Sequence, residues 1–325
     1  MPHAIRIHET GGPDVLKWEP VEVGEPGPGE VRLRHTAVGL NYIDVYFRTG
    51  LYPPPGLPSG LGLEAAGVVE AVGDGVTEVA VGDRVVYASP PLGAYAEARL
   101  MPADRVVRLP DAIDDRTAAG MMLQGLTAWY LLHRTYPVKA GDTLLIHAAA
   151  GGVGLLVCQW AKHLGATVIG TVGSDEKAEL ARAHGCDHPI VYTRERFPDR
   201  VREITAGEGV PVVYDSIGKD TFEDSLDSLR PLGLMVSFGN ASGPVPPLDL
   251  QLLSAKGSLF ITRPTVMTYT ARREDLLAGA QALFDVVQKG VLKVAVNQSW
   301  PLAQAAEAHK ALEARQTTGS TVLTV

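Results

Sequence analysis

Cysteine is nearly absent: Cys158 and Cys186 are the only two in 325 residues. Two thiols make neither a disulfide framework nor a zinc site. Cys158 falls in an apolar helical stretch, where a thiol acts as a small buried hydrophobe. No run reaches 18 apolar residues, which excludes a spanning helix. Basic blocks are missing as well: 29 Lys and Arg stand against 37 Asp and Glu, a formal net charge of -8. That balance argues against nucleic acid or an anionic membrane as the main partner. Met1 to Glu9 alternates like a strand and lacks the apolar centre of a signal peptide. A soluble, cytoplasmic protein is expected.

Glycine and proline, by contrast, are plentiful, at 35 and 23 residues. Apolar runs sit between them, so they mark turns of a folded chain rather than disorder. The length fits about two domains, and the chain changes character twice. Up to about residue 122, short β-branched runs such as 30–38, 66–72 and 83–87 alternate with Gly/Pro turns. This pattern predicts a small antiparallel barrel. From about 140 strands alternate with helices: strands at 143–148, 167–172, 189–192, 210–215, 234–238 and 258–262, with helices near 153–164, 177–182, 195–205 and 220–229. Six strands joined by crossovers predict a doubly wound parallel sheet, so the fold class is α/β. After Pro264 a helix stops at Gly290, and a shorter one at about 302–315 precedes a final strand at 321–325. This tail is too short to stand alone and is expected to pack on the N-terminal barrel. The domains are then 1–124 with 265–325, and 125–264.

The sharpest motif is Ala148-Ala-Ala-Gly-Gly-Val-Gly154, between a strand and a helix. Glycines there, Gly151 and Gly152 among them, make the tight turn and admit a pyrophosphate. The helix N-terminus beginning at Val153 supplies N–H groups and positive dipole. About 20 residues on, an NAD site carries Asp or Glu for the ribose 2′-hydroxyl. Here the second strand ends at Gly173, followed by Ser174 and, a turn later, Lys177. No carboxylate repels a 2′-phosphate at Gly173, and Ser174 and Lys177 can bind one. NADPH is the expected cofactor. Asp175 and Glu176 keep an alternative open, since a slip in register would set a carboxylate on a hydroxyl.

The stretch Gly141 to Lys162 resembles the fingerprint of the zeta-crystallin-like quinone oxidoreductases, within the medium-chain dehydrogenase/reductases. The likeness extends through Gly39-Leu-Asn-Tyr-Ile-Asp44, Gly62-Leu-Glu-Ala-Ala-Gly67, Gly82-Asp-Arg-Val85, Gly93-Ala-Tyr-Ala-Glu97, Tyr214-Asp-Ser216, Ser237-Phe-Gly-Asn240 and Ala308 to Glu313. It implies a GroES-like β-barrel domain plus a Rossmann domain, a site in the cleft between them, and a homodimer. Zinc members of the superfamily place Cys where this chain has Asn41, His where it has Leu63, and Cys near Gln124-Gly125. Asn and Leu replace neither thiolate nor imidazole on Zn²⁺, so no metal is expected. His133, His163 and His184 are expected on helix surfaces.

The resemblance further implies cofactor contacts at Asn41, Ile43, Asp44, Thr127, Tyr130, Gly152, Val153, Gly173, Ser174, Lys177, Tyr192, Ser216, Phe238, Gly239, Asn240, Ala241 and Arg315. Asn41, Tyr46 and Tyr52 would line the substrate slot, with Arg263 a further contributor. Asn41 suits a hydrogen bond to a carboxamide or quinone oxygen, and the tyrosines suit stacking or proton donation. The implied activity is hydride delivery from NADPH to a quinone. Two alternatives stay open: reduction of the C=C bond of enones or enoyl thioesters, and an RNA-binding or structural, crystallin-like protein.

Overall fold

Alternating side chains make β1 (His3–Ile7), which turns Ile5 and Ile7 inward and pairs antiparallel with β2 (Lys17–Pro20). The longest strand of this region, β3 (Glu30–Leu40), contributes Val31, Leu33, Val38 and Leu40 to the core. Helix α1 (Tyr42–Thr49) follows and ends at Gly50, whose φ of 82° is a left-handed position that glycine occupies without strain. Strand β4 (Ser59–Gly60) returns to β1, and β5 (Glu64–Val72), β6 (Arg84–Ala88), β7 (Ala98–Pro102) and β8 (Val107–Arg108) come next. Helix α2 (Asp115–Ala119) is capped by Asp114, whose carboxylate accepts from the Thr117 N–H at 2.8 Å. Helix α3 (Met122–Tyr130) runs on into a π-helical turn at Leu131–Thr135.

Strand and helix then alternate: β9 (Thr143–Ile146), α4 (Gly152–His163), β10 (Thr167–Val172), α5 (Asp175–Ala183), β11 (His188–Val191), α6 (Phe197–Ile204), β12 (Val210–Asp215), α7 (Phe222–Ser228), β13 (Leu229–Ser237), α8 (Leu250–Ala255) and β14 (Phe260–Thr262). The sheet is parallel throughout, in the order β11-β10-β9-β12-β13-β14. Its direction of growth reverses between β9 and β12, the switch point at which such sheets bind ligands. Every residue of β12 is buried, as expected of a strand covered on both faces. The chain closes with α9 (Val266–Tyr269), α10 (Arg273–Gln288), β15 (Val296–Pro301), α11 (Ala305–Glu313) and β16 (Ser320–Thr324).

This computed structural model describes residues 1–325, which sort into two units. The first gathers Met1–Leu126, Thr270–Gln288 and Val294–Val325, and the second Thr127–Tyr269 with Lys289–Lys293. Strand β3 is the spine of the first. One of its edges carries β5, while the other carries β7 along Glu30–Arg34 and β16 along Ala37–Leu40. The GroES-like sheet and the Rossmann sheet expected from the sequence are both present. Some bounds shift for local reasons. The last Rossmann strand starts at Phe260 rather than 258, because Ser258 sits at a left-handed φ of 57° that no strand continues through. The helix expected at 302–315 is a 3-10 turn, Leu302–Gln304, followed by α11, with the break at Gln304, whose backbone is not helical. Helix α1, which with its cap positions Asn41, Ile43, Asp44 and Tyr46, has no signal of its own in the apolar periodicity. No helix is long and apolar enough to cross a membrane.

Candidate functional site

In the second unit the candidate residues, apart from Thr127 and Tyr130 on α3, follow the carboxyl ends of parallel strands. Gly151, Gly152 and Val153 follow β9; Gly173, Ser174 and Lys177 follow β10; and Tyr192 follows β11. Ser216, the segment Phe238–Ala241, and Arg263 follow β12, β13 and β14 in turn. The glycine turn is shaped by backbone. Ala148 takes a left-handed φ of 53°, and its carbonyl accepts from the Gly151 N–H at 2.9 Å. Gly154 admits no side chain: a Cβ there would lie 2.3 Å from the Ala148 carbonyl oxygen and 2.7 Å from Ala149 Cα. The first N–H groups of α4 have no partner within the helix, so the turn fits a pyrophosphate.

The loops after β12 and β13 are stitched together. Asp215 Oδ1 accepts from the N–H groups of Ile217 and Gly218 at 2.7 and 3.0 Å, and Oδ2 accepts from the hydroxyls of Thr221 and Ser225. Ala241 N–H donates to the Ser216 carbonyl at 3.1 Å, and a Cβ on Gly239 would lie 2.4 Å from that same oxygen. Arg263 braces this turn from behind. Its NH1 donates to the carbonyls of Ser237 (2.9 Å) and Gly239 (3.0 Å), and its NH2 reaches Asn240 Oδ1 at 3.0 Å when that amide turns its oxygen to the guanidinium. The sequence had suggested a slot-lining arginine; these bonds give it a turn to hold. His147 lies fully buried beneath, with Nδ1 accepting from Thr171 Oγ1 (2.8 Å) and Nε2 donating to Ser225 Oγ (2.9 Å). Tyr130 stacks on Tyr269, 4.5 Å apart and nearly parallel, with Thr127 buried on the same helix.

At the end of β10 the Ser174 side chain caps α5 by accepting from the Lys177 N–H. Gly173 leaves room for the Tyr192 ring: a Cβ there would come within 3.0 Å of the phenol oxygen. Asp175 is engaged by Arg194 in a bidentate pair at 2.8 and 2.5 Å.

The first unit holds Asn41, Ile43, Asp44 and Tyr46 on or next to α1. Asn41 is buried, its Nδ2 donating to Glu64 Oε2 at 2.6 Å and its Oδ1 accepting from Gln124 Nε2 at 3.3 Å. Gln124 Oε1 in turn accepts from Ser320 Oγ at 2.6 Å. The other oxygen of Glu64 accepts from the Leu123 N–H at 2.7 Å, at the start of α3. Burial pushes the Glu64 carboxyl up to about 8. Gly39 makes this approach possible, since a Cβ there would lie 2.3 Å from Glu64 Oε2. Tyr46 is buried against Tyr42 and Tyr52, at ring separations of 5.5 and 5.1 Å. Arg315, at a left-handed φ of 59°, follows α11 and acts electrostatically on Tyr42.

Asp44 heads a chain of buried groups. Its Oδ2 accepts from the Asn41 N–H and from the Tyr95 hydroxyl, both at 2.9 Å. Tyr95 meets His309 Nε2 at 3.1 Å, and His309 Nδ1 meets Arg48 NH1 at 3.2 Å. Arg48 then forks Glu313 at 2.8 and 2.7 Å. A guanidinium only donates, so His309 Nδ1 accepts, its Nε2–H donates to Tyr95, and Tyr95 donates to Asp44. Burial raises Asp44 to about 7; burial, with Arg48 beside it, lowers His309 to about 3. Nothing in the sequence marks Glu64, Tyr95, His309 and Arg48 as a set, because they lie tens to hundreds of residues apart.

The positions of a zinc site hold Asn41, Leu63 and Gln124, and the two amides bond each other instead of presenting thiolates or imidazoles. That donor set does not fit Zn²⁺, and no cluster of three or more His, Cys, Asp or Glu forms elsewhere. His163 is exposed, as expected, whereas His184 is only partly exposed at the end of α5, its Nδ1 2.8 Å from the Leu180 carbonyl. His133 differs: it is half-buried against the Trp160 ring at 5.1 Å, because α3 runs on into the π-turn. Both cysteines are buried.

Two family models match the chain: the alcohol dehydrogenase GroES-like domain over residues 27–111 and the zinc-binding dehydrogenase over residues 152–286. A quinone oxidoreductase of Pseudomonas aeruginosa is 56% identical over 323 residues, covering 99% of each chain. A 2-haloacrylate reductase of a Burkholderia species is 53% identical, covering 98% of each. The crystal structure of Escherichia coli quinone oxidoreductase complexed with NADPH matches 99% of this chain and 100% of its own, with a TM-score of 0.98 and 49% identity. With amides where the dehydrogenases carry metal ligands, and with full-length identity of this order, the chain belongs to the quinone oxidoreductase family of the medium-chain dehydrogenase/reductases.

Proposed function

We propose that the chain is a zinc-independent NADPH:quinone reductase. The observation that carries this reading is the buried amide pair Asn41–Gln124 at the metal positions, in a chain so close to named quinone oxidoreductases. Such a pair ionises no alcohol. It holds a carbonyl compound that already accepts electrons readily, so positioning supplies most of what is needed.

Gly151, Gly152 and Val153 would hold the pyrophosphate of NADPH, and Gly173, Ser174, Lys177 and Tyr192 its 2′-phosphate side. When bound, the cofactor supplies a hydride. Asn41 has one Nδ2–H committed to Glu64 and keeps its second for an acceptor oxygen. Tyr46 and Tyr52 offer ring faces and edges to a flat substrate. The 2-haloacrylate reductase relative favours a second reading, reduction of an activated C=C bond by the same hydride. NADPH oxidation followed by nicotinamide absorbance, with a para-quinone and a matched enone in parallel and NADH as control, tests both. Turnover with quinone and NADPH supports the main reading; turnover of the enone beside an idle quinone replaces it with the second.

We also propose a cytoplasmic homodimer joined along β14. That edge strand exposes Phe260 and Ile261, and Leu232 on the neighbouring β13 is exposed as well; an unpaired apolar edge calls for cover. A monomer by light scattering would falsify it.

A further inference from the structure

We infer that Arg194 is a specificity-determining residue: by pairing with Asp175 it makes the end of β10 accept a 2′-phosphate despite the two carboxylates that follow. The inference rests on the NADPH reading above.

The local charge poses the problem. After Gly173 and Ser174 come Asp175, Glu176 and Lys177, two carboxylates against one ammonium, at the place where a 2′-phosphate would bring further negative charge. A free carboxylate there suits a ribose 2′-hydroxyl and repels a phosphate. Arg194 changes both properties. It comes from the loop after β11, which is stitched to the end of β10: the Tyr192 N–H donates to the Val172 carbonyl at 3.1 Å and the Thr193 hydroxyl to the Gly173 carbonyl at 3.5 Å. From there the guanidinium forks Asp175, NH1 to Oδ2 at 2.8 Å and NH2 to Oδ1 at 2.5 Å.

Two consequences follow. The cation cancels the Asp175 charge, so an arriving phosphate meets a loop balanced by Lys177 and Arg194. The fork also engages both Asp175 oxygens, so a ribose hydroxyl would have to share acceptors whose charge is already drawn to the guanidinium. Glu176 is turned to the helix start, where Ser174 and its own backbone N–H hold its carboxyl below the usual range. Both members of the Arg194–Asp175 pair are well exposed, and pairs of that kind add little to stability. What the pair changes is the charge that a ligand meets at the end of β10.

Calorimetric titration of 2′,5′-ADP and 5′-ADP into the wild type, Arg194→Gln, and Arg194→Gln with Asp175→Asn reads this directly, without turnover. Arg194→Gln is expected to weaken 2′,5′-ADP by about tenfold at low salt, less at high salt, and to leave 5′-ADP unchanged or slightly tighter. Adding Asp175→Asn is expected to restore most of the loss. If the wild type prefers 2′,5′-ADP and Arg194→Gln keeps that preference, the inference fails alone. Loss without recovery in the double variant also overturns it. A wild type that binds both nucleotides equally overturns the NADPH reading and this inference with it.

Discussion

The two units build their chemistry from different materials. In the second, the candidate site is mostly backbone: turns after β9, β10, β12 and β13, glycines that admit no Cβ, and carbonyls held by Arg263. In the first it is a mesh of buried side chains: Asn41 with Glu64, Gln124 and Ser320, and Asp44 with Tyr95, His309, Arg48 and Glu313. A backbone site fails when a residue gains bulk, whereas a side-chain mesh fails when a polar group loses its partner. That contrast can be tested from both sides.

The largest effect is expected at Gly154. Gly154→Ala places a methyl against the Ala148 carbonyl and should cost about 3 kcal/mol by denaturant unfolding, with loss of 2′,5′-ADP binding. A variant of normal stability would show the turn to be more yielding than its geometry says. Next comes Arg48→Met, which leaves His309 and Glu313 short of a donor. It should cost about 2 kcal/mol, seen as a lower melting temperature at pH 7. Arg48→Lys should recover little, since an ammonium cannot reproduce the fork.

Asn41→Ala sharpens the contrast functionally. It should lower kcat/KM for quinone about tenfold, or about 1.4 kcal/mol, while 2′,5′-ADP affinity stays put. A matching fall in nucleotide affinity would show that the two regions do not work separately.

The smallest change is a slope. Native Glu64 keeps its proton to about pH 8, and the unfolded chain releases it near 4.5. The stability this group confers is therefore complete below 4.5 and is lost as pH rises through 8, by up to about 1.4 kcal/mol per pH unit. Glu64→Gln should remove about 1 kcal/mol of that decline between pH 6 and 7, read as a flatter profile of melting temperature. His309 works in the opposite sense. Its native pKa lies near 3 against 6.5 unfolded, so its contribution is complete above 6.5 and is lost as pH falls toward 3.

The same contrast explains what the sequence made legible. The Rossmann sheet, the glycine turn and the end of β10 are spelled by consecutive residues, because strand periodicity and the needs of a tight turn are local. Asn41 stood out only through resemblance, and Glu64 sat inside a recognised motif without a role. Nothing near residue 64 says that its carboxyl will meet Asn41 and the first N–H groups of α3, since tertiary packing alone brings them together. Asp175 is the instructive middle case. Its ambiguity was visible in the sequence, but Arg194, 19 residues later, was not legible as its partner.

The pairing of Ala37–Leu40 with Thr321–Thr324 sets an order of events during synthesis. The central strand emerges early, but half of one edge stays open until β16, far later in the sequence, has been made as well. Val38 and Leu40, deep in the finished core, lie beside that gap in the meantime. Such long-range closure is slow and leaves a nascent chain open to pairing with its neighbours. The last strand also brings Ser320 to Gln124, so the step that seals the edge also completes the mesh around Asn41. A ribosome-bound intermediate that lacks β16 would thus be both sticky and unfinished at its working centre.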